Sequence, residues 1–251
     1  MDLYSRRGFS RNLLATLFTA ALVRSVGTAH AFAGTVKSAA RKWMDELNSA
    51  SLDLRHQTIT QVDWQQRIER CLGHVDMKDL LAAIDYQRLV ENAQFEEDHE
   101  TQTKLDVMGG ESTDRLAYGA FFFAMKKDVS VVPHGHHNLV TTHMILQGKA
   151  HGRHFERVRD EPGHITIKPA TDEVIGPGVV TTISDQRHNV HWFTALDGPV
   201  FMFNMQLGGI TPGTPSGGRD YLDPDGEKLG GGLIRARRLQ RAEAYKLYGH
   251  V

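Results

Sequence analysis

Val132-Pro133-His134-Gly135-His136-His137-Asn138-Leu139 is the stretch on which the fold turns. Two histidines two positions apart on a β-strand point to one face, because strand side chains alternate with a period of two. The chain has fourteen histidines, and nine of them fall between His134 and His191, a concentration that neither a core nor a surface requires. Leu146-Gln147-Gly148 follows, and Asn189-Val190-His191 stands further on. A third histidine from a neighbouring strand would complete a three-nitrogen face for a metal inside a small β-barrel.

The surrounding sequence reads as strand. From Leu116 the apolar period shortens: residues 117–125 are aromatic-rich, 129–133 are β-branched, and 141–146 alternate. Further strands are predicted at 154–158, 165–167, 179–183, 190–195 and 200–207, separated by turns such as Gly176-Pro177-Gly178 and Gly198-Pro199. Many short strands with regular turn signals predict a mainly β fold, a sandwich or a barrel. Upstream, residues 35–92 are helical in period. Thr60-Gln61-Val62-Asp63 caps a helix through Trp64, Ile68 and Leu72 that stops at Gly73, and a second runs from Met77 through Ile84 to Val90. Residues 96–103 are polar and read as a connector. Downstream, a turn is predicted at Asp223-Pro224-Asp225-Gly226 and a basic amphipathic helix over 234–248.

The N-terminus reads as a targeting segment. Ser5-Arg6-Arg7-Gly8-Phe9 precedes an apolar run and Ala29-His30-Ala31-Phe32-Ala33, the arrangement of an export signal, and the paired arginines give it the twin-arginine form. The expected organisation is a signal at 1–33, a helical extension at 34–104, a barrel at 105–210 and a turn-rich segment with a helix at 211–251. The twin-arginine export machinery is then a partner, and the mature protein is expected to be soluble and periplasmic or secreted. Residues 34–251 carry 25 Lys+Arg against 29 Asp+Glu once four basic residues and one acid are removed with the signal. No basic block suggests nucleic acid. Cys71 is the single cysteine, which excludes an internal disulfide and a cysteine-rich zinc site.

The histidine motif carries a resemblance. His134-x-His136 with Gly148 resembles the first motif of the cupin superfamily, and Gly178 with His191 resembles the second. Most metal-binding cupins place a Glu four or five positions after the second His, where this chain has Val140 and Thr141. That departure is similar to the three-His thiol dioxygenases, namely cysteine dioxygenase, cysteamine dioxygenase and plant cysteine oxidase. The resemblance covers residues 116–207 and implies a cupin-type β-barrel, a jelly roll, with an N-terminal helical extension and a C-terminal helix. The Pro-Pro-Tyr of the cysteamine and plant enzymes is replaced by Gly208-Gly209-Ile210, and Thr141 occupies the position of the crosslinking Cys of cysteine dioxygenase.

The resemblance implies that His134, His136 and His191 bind a metal, Fe(II) first, with Mn, Zn, Cu or Ni also compatible with imidazole ligands. His188 lies on the opposite strand face from His191 by alternation. His137 and His143 are expected to flank the site, and Asp185, Asn189 and Gln206 are candidates to orient the ligand rings. Arg153, Arg157 and Arg187 are candidates to clamp a substrate carboxylate, and Tyr118 to reach the pocket. The implied activity is oxidation of a small thiol by O2 to a sulfinate. Two alternatives stand beside it: a three-His dioxygenase cleaving a carbon–carbon bond, and a non-catalytic cupin binding a metal or small ligand. A homodimer is compatible with either.

Overall fold

Alternation on both faces of one sheet organises the molecule. The computed structural model describes residues 29–105 and 116–250, with side chains from residue 40. The signal expected at 1–33 lies outside them apart from 29–33, which open the first helix. Among the described residues four α-helices, α1 (Ala29–Arg55), α2 (Gln61–Gly73), α3 (Met77–Ala83) and α4 (Tyr86–Glu91), precede nine strands and a last α-helix, α5 (Arg241–Tyr248). The strands are β1 (Thr101–Lys104), β2 (Gly119–Met125), β3 (Ser130–Gly135), β4 (Leu139–Glu161), β5 (His164–Ile175), β6 (Val180–Ile183), β7 (Val190–Gly208), β8 (Asp220–Lys228) and β9 (Ile234–Arg238).

Six strands close a ring. β7 pairs with β3, β3 with β8, β8 with β9, β9 with β5, β5 with β4, and β4 returns to β7, all antiparallel. β1 and β2 extend the sheet from β7, and β6 from β4. Along β7, Phe201, Phe203, Met205 and Leu207 face the helices, where Trp43, Met44, Leu47, Trp64, Ile68 and Leu72 join them in one core. The alternate residues Val200 and Met202 face the barrel interior with Phe123, Val131, Ile145 and Phe193. Both faces are buried, so β2 and β7 read as near-continuous apolar runs. Each buried aromatic or aliphatic side chain contributes about 1.5–3 kcal/mol.

Several elements differ from expectation. The helix predicted over 234–248 is β9 followed by α5. Ile234 and Ala236 alternate inward against Phe155, Ile165 and Ile167, and that packing outweighs the helical propensity of the arginines between them. The turn at Asp223–Gly226 lies within β8, as a register shift between Asp223 and Glu227, the kind of irregularity at which proline is tolerated in a sheet. The strand pairing therefore carries the barrel past residue 210. The second helix breaks at Asp85, whose φ of 52° is left-handed. The break turns Tyr86 edge-on to Phe122 and Phe201. The polar connector contains β1, an edge strand on β2.

Two strand pairs read as separate are continuous, β4 and β7, which share one long antiparallel ladder with irregularities from Ile145 to Ala150. Gly148 sits there at φ 81°, and a Cβ on it would lie 2.7 Å from the Pro199 carbonyl; only glycine fits. The capping box at Thr60 and Asp63 forms as predicted, and α2 ends at Gly73.

Candidate metal centre

Two of the three histidines lie on adjoining strands, and the third on the loop that follows one of them. His134 lies in β3 and pairs in register with His191 of β7. His136 stands one residue beyond the end of β3, yet its ring still turns to the same side, with its centroid 4.8 Å from His134 and 5.4 Å from His191. One ring nitrogen from each of the three lies within 4.8 Å of the others. His134 and His191 are each 1% exposed.

Main-chain carbonyls set the rings. His134 Nδ1 lies 2.8 Å from the Val132 carbonyl, and His136 Nδ1 lies 2.8 Å from that of Gly218. A carbonyl only accepts, so each Nδ1 carries the hydrogen and donates it. In the neutral imidazoles both Nε2 atoms are then bare, and they face each other at 3.2 Å. Two lone pairs so placed repel unless a cation sits between them. Burial disfavours a proton as that cation. It holds His134 and His191 well below the ordinary histidine range and pulls His136 down to about 4, with the nearby Arg219 acting in the same sense on His134 and His136. His191 Nδ1 is buried without a hydrogen-bond partner, as expected of a donor set waiting for an ion. The residues fit a metal.

The loop beyond β3 is tightly specified. Asn189 donates to the His136 carbonyl at 2.9 Å and to that of Ser184 at 3.1 Å. A Cβ on Gly135 would lie 2.5 Å from Asn189 Oδ1, so glycine at 135 is what lets Asn189 approach.

The histidines open onto a cavity of about 240 Å³, lined also by Phe123, Thr141, His143, Gln102, Gln206 and Arg219. His143 is 3% exposed, its ring 5.5 Å from that of His191. Burial, and then His154, push its pKa down to about 3. Arg219 donates to the buried Glu100 carboxylate at 2.7 Å and to the Tyr245 hydroxyl at 3.0 Å.

The other expected residues lie elsewhere. Arg153 stacks 3.8 Å over the Trp192 ring. Arg157 bonds Asp160, Asp220 and His137, and Arg187 pairs with Glu69 of α2. Tyr118 is packed in the core between sheet and helices. None of the four lines the cavity. Of the candidate ring-orienting residues, Asn189 holds the main chain of His136, Asp185 accepts from the Asn138 N–H, and Gln206 donates to Asn204 while lining the cavity. No signal in the sequence marked the carbonyls that orient the rings. Arg219 could have been found as the first residue after two glycines, but it lay outside the expected barrel.

No protein-family model matches the chain, and no curated protein matches it. Solved structures do. A cupin superfamily protein from Desulfitobacterium hafniense is 18% identical, with 47% of this chain and 86% of that one covered and a TM-score of 0.31. The 11S globulin procruciferin from Brassica napus is 12% identical over 51% of this chain and 28% of that one, at a TM-score of 0.36. KdgF from Halomonas sp. is 14% identical over 47% and 86%, at 0.32. The closed six-strand barrel is established by the strand pairing itself, and these likenesses reach no further than the fold.

Proposed function

We propose that His134, His136 and His191 hold a single divalent metal, Fe(II) before Mn, Zn, Cu or Ni, and that the loaded protein is a dioxygenase acting on a small anionic thiol in the periplasm or outside the cell. The observation that carries the metal is the pair of bare Nε2 atoms facing each other at 3.2 Å in a buried pocket. Three neutral imidazoles leave part of a metal's coordination free. Fe(II) there would supply an open face and the electrons that O2 activation needs. The reaction is balanced as R–SH + O2 → R–SO2H: both oxygen atoms end on sulfur, which loses the four electrons that dioxygen gains, and no further reductant enters.

Charge supports an anionic substrate. Three neutral histidines leave a dipositive ion uncompensated, because the nearby Glu100 carboxylate is already paired with Arg219. A thiolate or carboxylate would reduce that charge in a site sheltered from water. Arg219 keeps guanidinium N–H groups beyond the two that hold Glu100 and Tyr245. It borders the same cavity as the histidines and takes the clamping role first expected of Arg153 or Arg157. The Gln102 and Gln206 amides provide further polar contacts in the cavity wall. Passage by the twin-arginine route agrees with the Arg6-Arg7 signal, since a protein exported by that route can fold around its metal first.

Elemental analysis of the purified full chain beside His191→Ala tests the reading. Near-stoichiometric iron, lost in the variant, is the expected result and leads to an oxygen-electrode screen that starts with small carboxylated thiols. Another metal lost in the same way would keep the site and overturn the thiol reaction. No metal in either protein would overturn the centre itself. Carboxylate fragments from a diketone, in place of a sulfinate, would move the protein to carbon–carbon cleavage.

A further inference from the structure

We infer that the helical extension is part of the metal centre's scaffold: Gln61 and Gln65 of α2 position His136 through hydrogen bonds relayed along the main chain of the loops before and after β7. The inference rests on the metal reading above. Of the three ligands, His136 is the one outside any strand. The ladders of β3 and β7 hold His134 and His191, so His136 depends on loop groups for both its main chain and its ring.

Those groups lead back to α2. Gln65 is fully buried although polar. Its Oε1 accepts from the Ser184 hydroxyl at 2.8 Å, and its Nε2 donates to the Thr182 hydroxyl at 3.1 Å and the Arg187 carbonyl at 3.4 Å. Ser184 Oγ in turn accepts from the Gln186 and Arg187 N–H groups, which shapes the turn before β7. The Ser184 carbonyl holds Asn189, and Asn189 holds the His136 carbonyl.

A second branch starts one turn earlier. Gln61 Oε1 accepts from the Asp185 N–H at 2.8 Å, and Asp185 Oδ2 accepts from the Asn138 N–H at 3.0 Å. Asn138 is 3% exposed and left-handed at φ 51°. Its side chain spans the loop after β7, accepting from the Thr211 N–H at 2.7 Å and donating to the Thr214 carbonyl at 2.8 Å. The same loop runs on to Gly217, whose N–H donates to the His137 carbonyl, and to Gly218, whose carbonyl sets the His136 ring. Both branches therefore end on one ligand, and both begin on a helix outside the barrel. A buried glutamine facing a sheet is otherwise a poor choice for helix packing. Here every polar atom of its amide is used.

Gln61 and Gln65 are positioning residues, since neither lines the cavity. The probe is Cu(II) on the full chain, with affinity measured by chelator competition and the number of coordinated imidazole nitrogens read from the electron paramagnetic resonance superhyperfine pattern. Wild type is expected to show three nitrogens. Gln65→Leu, similar in volume, is expected to bind roughly 10–100-fold more weakly, as with loss of groups that orient a ligand, and to show two. Trp64→Phe loosens the same helix without touching the relay, and is expected to lower the melting temperature while keeping three nitrogens.

Wild-type affinity and three nitrogens in Gln65→Leu would overturn the relay, and so would loss of a nitrogen in Trp64→Phe. Gln61→Ala, at a half-exposed position, decides the matter if Gln65→Leu does not fold: a several-fold loss is expected, and none would overturn the relay. Failure of wild type to bind Cu(II) at all would sink the three-histidine reading, a different outcome from failure of the relay alone.

Discussion

Two groups of buried histidines share this barrel, and they differ in what orients them. In the first, His134 and His136 each give one nitrogen to a main-chain carbonyl, and the remaining nitrogens converge with one from His191 within 4.8 Å. In the second, His143 and His154 both pack against Phe193, at 5.0 and 5.5 Å, and His154 bonds Thr171 and lies 5.3 Å from His188. Burial depresses both groups, His143 and His154 each to about 3. The second group forms no set of three nitrogens within 4.8 Å among the described residues. Burial removes the proton from an imidazole; fixed carbonyl acceptors decide whether the bare nitrogens meet.

The sharpest way to break this contrast is to exchange the losses. His134→Ala or His191→Ala should abolish metal binding, whereas His154→Gln should leave the metal stoichiometry unchanged, as read by elemental analysis. Metal lost equally from both would show that the second group contributes directly.

A smaller effect is expected from the charge beside the first group. Arg219→Met leaves Glu100 buried and unpaired, and should destabilise the fold by roughly 3 kcal/mol, measured by denaturant unfolding of the metal-free protein. Adding Glu100→Gln should restore most of it. Gly135→Ala comes next. Its Cβ would displace Asn189 from the His136 carbonyl, and metal affinity should fall about 10–100-fold with secondary structure intact by circular dichroism.

The last contrast is in pH dependence, and it sharpens the second group. Its histidines fold neutral and titrate near 6.5 when unfolded. Their contribution to stability is therefore present above pH 6.5 and is withdrawn as pH falls toward 3, by up to about 1.4 kcal/mol per pH unit for each group. His154→Gln should flatten the decline of unfolding free energy between pH 6.5 and 4 in the metal-free protein.

Much of this was legible in the order of residues. The aromatic-rich run at 117–125 and the apolar run at 200–207 predict strands, and His134-x-His136 predicts two rings on one side. The Thr60 cap forms where it was read. The misreadings share a cause. At 234–238, the arginine-rich composition suits a helix, and only Phe155, Ile165 and Ile167 across the barrel make Ile234 and Ala236 strand residues. The arginines at 153 and 157 sit on strands of the right barrel, but the register aims them at Trp192 and Asp220.

Local pattern by itself determined most element types and the histidine pair, because each follows from a period of two or from a capping rule within a few residues. The tertiary structure alone decided that β8 and β9 close the ring, that Arg219 faces the cavity, and that carbonyls of Val132 and Gly218 set the ligand rings. A main-chain carbonyl is the same in every residue, so its use as an orienting acceptor leaves no trace in composition or spacing. It exists only once chain segments 82 residues apart, as His136 and Gly218 are, meet in the fold.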